Sequence, residues 1–153
     1  TRLWDGITDA DPCFHTKTTT VMPQWFTFDM GENYKLSRFV MVSRYYPGKY
    51  GNTFKAGHPK HFEIWGSINT NPDGSFDDSW VLLSEYESEK PSGGGVNDAL
   101  TAEDQEAAKN GENFIIPDNA PAVRYIRFRT NNTWGNTRYM YLHELTFFGA
   151  KHN

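Results

Sequence analysis

The chain has 153 residues, which suits one domain and is long enough to bury a substantial core. Its formal net charge of −4 argues against a nucleic-acid partner, because phosphate binding needs a basic face. Aromatic residues make up 16% of the sequence, so some rings are expected at the surface, where they can contact a ligand. The single cysteine, Cys13, excludes an intrachain disulfide. No apolar run is long enough to cross a membrane.

Alternation of apolar and polar residues predicts at least six strands along the chain. They are residues 25–30, 36–44, 61–65, 80–83, 123–129 and 142–149. In the second strand, Phe39 and Met41 share one face, and Val40 and Val42 share the other. Segments rich in Gly, Pro and Asn predict the turns, beginning with residues 31–33 between the first two strands.

One helix interrupts this pattern. After a glycine-rich loop at residues 91–95, Thr101 is a suitable N-cap, Asp104 lies in the first helical turn, and Gly111 can end the helix. Many short strands separated by such turns predict an all-β sandwich or jelly roll. The helix is therefore expected as a short insertion in a β fold.

Six motifs in register carry a family resemblance. They are Leu3–Gly6, Trp25–Gly31, Phe62–Ser67, Trp80–Leu83, Arg124–Arg127 and Glu144–Gly149. Together they resemble the discoidin domain, also called the coagulation factor 5/8 type C domain, whose fold is a galactose-binding-like jelly-roll β-sandwich. The resemblance covers the chain as one domain, 1–153, apart from a loop-plus-helix insertion at 84–113. The inserted helix and the Asn131–Trp134 segment resemble surface glycan-binding proteins of gut Bacteroidetes, and family 32 carbohydrate-binding modules belong to the same superfamily.

This resemblance implies a non-catalytic module that binds glycan through loops at one end of the sandwich. It also implies a place on a bacterial cell surface or in a secreted protein. The chain begins without Met and reaches a fold motif at once, so we expect a module from a longer protein whose other domains are partners. A few stacking contacts and hydrogen bonds, less the association costs, leave about −4 to −7 kcal/mol of binding free energy.

The candidate ligand residues carry the aromatic, amide or charged groups that recognise a sugar ring and its hydroxyls. They are His15, Arg44, Tyr46, Lys49, Asn52, Asn132, Trp134 and Arg138. Trp134, in a polar loop, is either a platform for the ligand or a lid packed on the end of the sandwich. His15 is either a ligand contact or a histidine bonded within its loop, and Asn52 is either a ligand contact or an ordinary turn residue.

One feature departs from the galactose-binding pattern. Relatives often carry Arg directly after the Tyr-x-Pro of the second loop, whereas this chain has Gly48 followed by Lys49. A lysine ammonium does not replace the planar guanidinium fork. Galactose specificity is therefore not implied, even though Arg44 lies nearby in the sequence.

The family resemblance also implies a structural calcium ion. The residues available to hold it are Asp5, Asp9, Asp11 and Glu144, and calcium prefers six to eight hard oxygen ligands. The spacing of these acids differs from the usual one, and Cys13 stands where a hydroxyl residue is common. The alternative is a solvated acidic turn with Glu144 paired to an arginine.

Two further functions stay open beside glycan binding. Discoidin domains also bind proteins or phospholipid surfaces, although the polar, amide-rich loops here favour sugar; a spacer without a ligand is the other alternative. An enzyme is not expected. Cys13 and His15 lack the strand-turn-helix context of an activated thiolate, and proline and strand alternation point His58 and His61 apart.

Overall fold

The computed structural model describes residues 2–9, 11–45, 52–69 and 74–152. It contains eight strands and one helix in these ranges. They are β1 Phe14–His15, β2 Gln24–Val42, β3 Pro59–Ser67, β4 Val81–Glu87, α1 Ala102–Asn110, β5 Glu112–Ile115, β6 Val123–Thr133, β7 Tyr141–Leu142 and β8 Glu144–Lys151. None of the helical segments in these ranges has the length and apolar character that a membrane crossing requires.

The long strand β2 belongs to both layers of a sandwich. Its first part, Gln24 to Asp29, pairs antiparallel with β6, in the order β4-β3-β6-β2. Its second part, Tyr34 to Val42, pairs with β8 on one side and, from Arg38 to Met41, with β5 on the other. The predicted all-β jelly-roll sandwich with one short inserted helix is confirmed.

The turn predicted at residues 31–33 is wrong, because β2 continues through it. A register shift in the pairing with β6 falls between Asp29 and Tyr34. Gly31 adopts a left-handed φ of 85°, and its N–H donates to the Asp29 carboxylate at 2.7 Å. The glycine therefore bends the strand locally without ending it.

The core lies between the two layers and is rich in phenylalanine. Phe128 stacks on Phe62 at 4.9 Å between ring centroids, and Phe39 meets Phe62 edge-on at 6.3 Å. All three rings are buried. Phe39 and Met41 therefore face the core, as the alternation predicts. Val40 and Val42, on the opposite face of β2, lie close to Gly111, which follows the helix.

The helix begins and ends as the sequence predicts. Thr101 Oγ1 accepts from the Asp104 N–H at 3.2 Å, and the Asp104 carboxylate accepts from the Thr101 N–H at 3.0 Å, which is a capping box. Asp104 also accepts from the N–H and hydroxyl of Ser92. At the other end Gly111 has a φ of 81°, and a Cβ there would lie 2.7 Å from Val40. These contacts tie the insertion to the sandwich.

Candidate functional site

An aromatic cluster lies where the short strands β1 and β7 meet. The pairing sets His15 opposite Tyr141, and it is extended by bonds between Thr16 and Met140. The exposed His15 ring stacks on Tyr139, with centroids 4.7 Å apart and planes 21° apart. The cluster therefore offers a ring surface held by backbone pairing.

Among the described residues, one nitrogen of His15 has no hydrogen-bond partner. Its Nδ1 lies 2.5 Å from the carbonyl oxygen of Thr16. Because a carbonyl can only accept, Nδ1 carries the proton and donates. In the neutral ring Nε2 is then an acceptor, and His15 is exposed, so this nitrogen can take a hydrogen bond from a hydroxyl group.

Tyr141 anchors the cluster from below. It is buried, and its hydroxyl lies 2.8 Å from the carbonyl oxygens of both Asn52 and Lys55. Burial raises the pKa of this phenol well above its usual value. Gly57 lies so close that a Cβ there would come within 2.8 Å of the Tyr139 and Tyr141 rings. Both tyrosines therefore rest directly on the Gly57 backbone.

A fixed cation completes this end. The Arg44 Nη2 donates to both oxygens of Asp11, at 2.9 and 3.2 Å. Its guanidinium carbon is 5.8 Å from the centre of the Tyr141 ring. Arg44 is therefore held beside the aromatic cluster by its bond to Asp11.

We call His15, Arg44, Asn52, Tyr139 and Tyr141 the end site. Three of these five residues are among the predicted ligand residues. The other two, Tyr139 and Tyr141, are not among the predicted ligand residues, although their alternation just before β8 is a usable signal.

The other predicted loop residues have different surroundings. Arg138 is exposed and next to Tyr139, and its carbonyl accepts from the Gln24 amide at 2.5 Å. Tyr46 and Lys49 lie outside the described residues. Their roles as ligand contacts stay predictions.

The sequence places Asn132 in a loop, but this is wrong, because the structure places it in a strand. Strand β6 extends to Thr133, so only the residues after it form the connection to β7. The Asn132 side-chain oxygen accepts from the His61 N–H at 3.0 Å, across an irregularity in the β3–β6 pairing. This places the Asn132 amide within the sheet.

Trp134 lies in another part of the molecule, which we call the insertion corner: Phe54, His58, Ser88, Glu112 and Trp134. The half-buried indole donates its N–H to the Ser88 hydroxyl at 2.9 Å and meets the Phe54 ring edge-on at 5.6 Å. The Lys60 ammonium sits 4.7 Å from the indole centre. This indole and the glycine-rich loop line a depression of about 550 Å³. The role of Trp134 as a ligand platform stays a prediction.

The insertion corner resembles a catalytic triad in composition only. His58 Nδ1 accepts from the Phe54 N–H at 3.0 Å, so Nε2 must carry the proton and donate to Glu112 at 2.9 Å. The Ser88 hydroxyl, 3.3 Å from that same Nε2, therefore faces no free base. Ser88 is also fully buried. The geometry is that of an internal hydrogen-bond network.

The four predicted calcium ligands do not form one group. Glu144 accepts from the Gly6 N–H at 3.1 Å, Asp5 accepts from the Ile7 N–H at 3.0 Å, and Asp11 is paired with Arg44. Burial and the nearby charge of Asp5 raise the pKa of Glu144. Asp9 is exposed.

A different metal-type cluster is present. Within the described ranges, one group of three potential metal-ligating side chains has its ligand atoms within 4.8 Å of one another: Asp11, Cys13 and His143. Burial raises the pKa of the Cys13 thiol, and Asp11 is committed to Arg44. Calcium binding by Asp5, Asp9, Asp11 and Glu144 stays a prediction.

Two arginines on one face of β6 have different surroundings. Arg127 is fully buried, with its guanidinium 4.5 Å from the Phe76 ring centre and 4.0 Å from that of Trp80. Arg129 is partly exposed and pairs with Glu63 at 2.7 Å.

Comparisons with known proteins agree with this fold. The DUF5000 family model, described as a domain of unknown function, matches residues 4–149. The structure of the SusE-like protein BT2857 is 37% identical with a TM-score of 0.86, covering 97% of this chain and 85% of that one. No curated protein sequence gives a significant match.

More distant structures share the architecture. The family 32 module CBM32-3 from a family 31 glycoside hydrolase of Clostridium perfringens has a TM-score of 0.61 at 17% identity, over 94% of this chain and 86% of that one. The family 32 module of NanJ from C. perfringens, in complex with galactose, has a TM-score of 0.60 at 16% identity, over 95% and 81%. The expected resemblance in fold to family 32 carbohydrate-binding modules is confirmed, and the chain is also similar to a SusE-like protein.

Proposed function

The chain belongs to the DUF5000 family, and from the end site and the structural relatives we propose that it is a non-catalytic module that binds glycans. The likeness to a SusE-like protein supports glycan binding. Family 32 modules with the same fold, one of them solved with galactose, support it further. Fold alone does not determine function, so the residues must carry the argument.

The observation that carries the proposal is the exposed stack of His15 on Tyr139 beside the Arg44–Asp11 pair. A pyranose ring has an apolar C–H face that packs against an aromatic ring, and a rim of hydroxyls that need hydrogen-bond partners. Tyr139 and His15 supply the ring surface, and His15 Nε2 supplies an acceptor. The Arg44–Asp11 pair places charged groups near the Tyr141 ring of the same cluster.

The expected affinity is low. One stacking contact contributes about 0.5–1.5 kcal/mol and each hydrogen bond to a charged group about 1.5–3 kcal/mol, before association costs. A dissociation constant in the millimolar to micromolar range follows. Such a module gains useful avidity when several copies or domains act together. This fits a place at a bacterial cell surface as one domain of a longer protein.

A glycan array followed by calorimetry tests the proposal. We expect Tyr139→Ala and His15→Ala each to weaken binding of the best array ligand by about tenfold or more. Phe148→Ala is a matched control, because Phe148 is an exposed ring on β8 beside Arg38. The proposal is wrong if no glycan binds, or if both end-site variants bind as the wild type does.

A further inference from the structure

The outer face of the β2-β6-β3 sheet carries a row of rings and planar polar groups. We call Trp25, Glu63, Trp65, Phe76 and Arg129 the sheet-face patch. The strand register aligns Trp25 with Arg129, and Arg129 with Glu63. Trp25 is 42% exposed, although the opposite face of the same strand packs into the core. An exposed indole at this place is not needed to fill the sandwich.

The rings of the patch are held in a regular arrangement. Phe76 stands between the two indoles, 5.1 Å from Trp25 and 5.2 Å from Trp65, at 75° and 73° to them. Below Phe76 lies the buried Arg127 guanidinium, whose Nε donates to Thr27 Oγ1 at 2.8 Å. Phe76 therefore contacts both indoles and links them on this face of the sheet.

The polar groups of the patch are also fixed. Glu63 is buried and accepts from Arg129, Trp65 and Asn131, at distances of 2.6 to 3.0 Å. Burial by itself would raise the pKa of Glu63, but these hydrogen bonds together lower it. Arg129 uses only its Nη1 for Glu63, so among the described residues its Nε and Nη2 have no hydrogen-bond partner. A planar edge of donors thus stands next to the exposed indole.

The patch is continuous with the end site. A depression of about 460 Å³ is lined by both His15 and Trp25, together with Thr20, Val21 and Gln24. The end site and the exposed indole of the patch therefore border the same depression. A purely apolar face would suit a protein partner, whereas rings alternating with fixed planar donors suit the C–H faces and hydroxyls of sugars.

We propose that the sheet-face patch is a second set of sugar subsites, so that this module binds an oligosaccharide chain and not only its terminal sugar. The inference rests on glycan binding at the end site. The first sugar occupies the end site, and the following units lie along the depression to Trp25 and then towards Trp65. Arg129 donates from Nε and Nη2 to hydroxyls of these later units.

Chain-length dependence tests the proposal. Calorimetric titrations use two defined series of one to four units, β-1,4-linked galactose oligomers and α-1,6-linked mannose oligomers. We expect affinity in at least one series to rise about three- to tenfold from the monomer to the tetramer, which is the gain that one added stacking contact gives. Trp25→Ala removes this rise and leaves binding of the monomer unchanged.

The controls separate this proposal from the one on which it rests. Trp25→Phe keeps a ring and part of the rise, Phe148→Ala keeps all of it, and melting curves check that each variant is folded. His15→Ala weakens monomer and tetramer alike. Glycan binding on the array without a rise along either series, or a rise that Trp25→Ala leaves intact, overturns the sheet-face subsites alone. Absence of any binding on the array overturns both proposals.

Discussion

The end site and the insertion corner contain similar side chains in opposite situations. Each has a histidine next to an aromatic ring, His15 with Tyr139 and His58 with Phe54. In the end site the histidine is exposed and keeps one nitrogen for a ligand. In the insertion corner both ring nitrogens of the buried histidine bond within the protein, and the Trp134 N–H does the same. The residue types alone therefore do not identify a binding site. What distinguishes the two regions is whether the polar atoms already form hydrogen bonds within the protein.

The largest effect is expected from breaking the network of the insertion corner. Glu112→Ala removes the acceptor of the buried His58 N–H, so the free energy of unfolding should fall by about 2–3 kcal/mol. Glu112→Gln keeps an acceptor and should lose less. Chemical denaturation measures both. Equal losses in the two variants would show that the hydrogen bond is not what stabilises this corner.

The next effect concerns the support of the end site. A methyl group at Gly57 would lie 2.8 Å from Tyr139 and Tyr141, so Gly57→Ala must displace these rings. We expect it to weaken glycan binding by about tenfold or more, which is about 1.4 kcal/mol. Gly94→Ala, in the glycine-rich loop, is the matched control. Unchanged calorimetric affinity in Gly57→Ala would mean that the tyrosine rings do not hold the ligand.

A substitution of Trp134 is expected to have a smaller effect, on stability and not on glycan binding. Trp134→Phe keeps a ring but removes the N–H that bonds Ser88, so stability should fall by about 1 kcal/mol while affinity for glycan stays the same. Thermal melting and calorimetry on one preparation check both. Loss of binding with unchanged stability would instead show that Trp134 is the ligand platform.

The smallest expected effect is that of calcium. Glu144 accepts from the Gly6 N–H, next to Asp5, so the two carboxylates lie near one another and a bound Ca²⁺ should raise the melting temperature by a few degrees. A chelator should reverse the rise, and Glu144→Gln should abolish it. Asp118→Asn, on an exposed acid elsewhere, should respond as the wild type does. Identical melting curves with calcium and with chelator would exclude the calcium site.

Regular periodicity made most of the fold predictable. The faces of β2 and the caps of α1 follow from local rules of alternation and hydrogen bonding, and both are confirmed. The bend at Gly31 was mistaken for a turn because a glycine in a bulge and a glycine in a turn have the same local sequence. Strands β1 and β7, two residues each, exist only through their pairing and leave no periodic signal.

The candidate site was harder to predict than the fold, because it depends on contacts between residues that are distant in sequence. His15 and Arg44 were found through the family resemblance, but Tyr139 depends on the β1–β7 pairing that brings it onto His15. Trp134 stood out because its sequence neighbours are polar, yet its partners Phe54 and Ser88 are distant in sequence. Such long-range contacts decide whether a ring is a platform or a lid.

An NMR titration of the whole domain with the best array ligand tests the contrast between the two regions most directly. It follows the ring signals of His15 and the indole N–H signal of Trp134 in the same spectra. We predict that the His15 signals shift on binding and that the Trp134 N–H, bonded to Ser88, stays in place. A shift of the Trp134 signal with unmoved His15 signals would contradict the assignment of the end site.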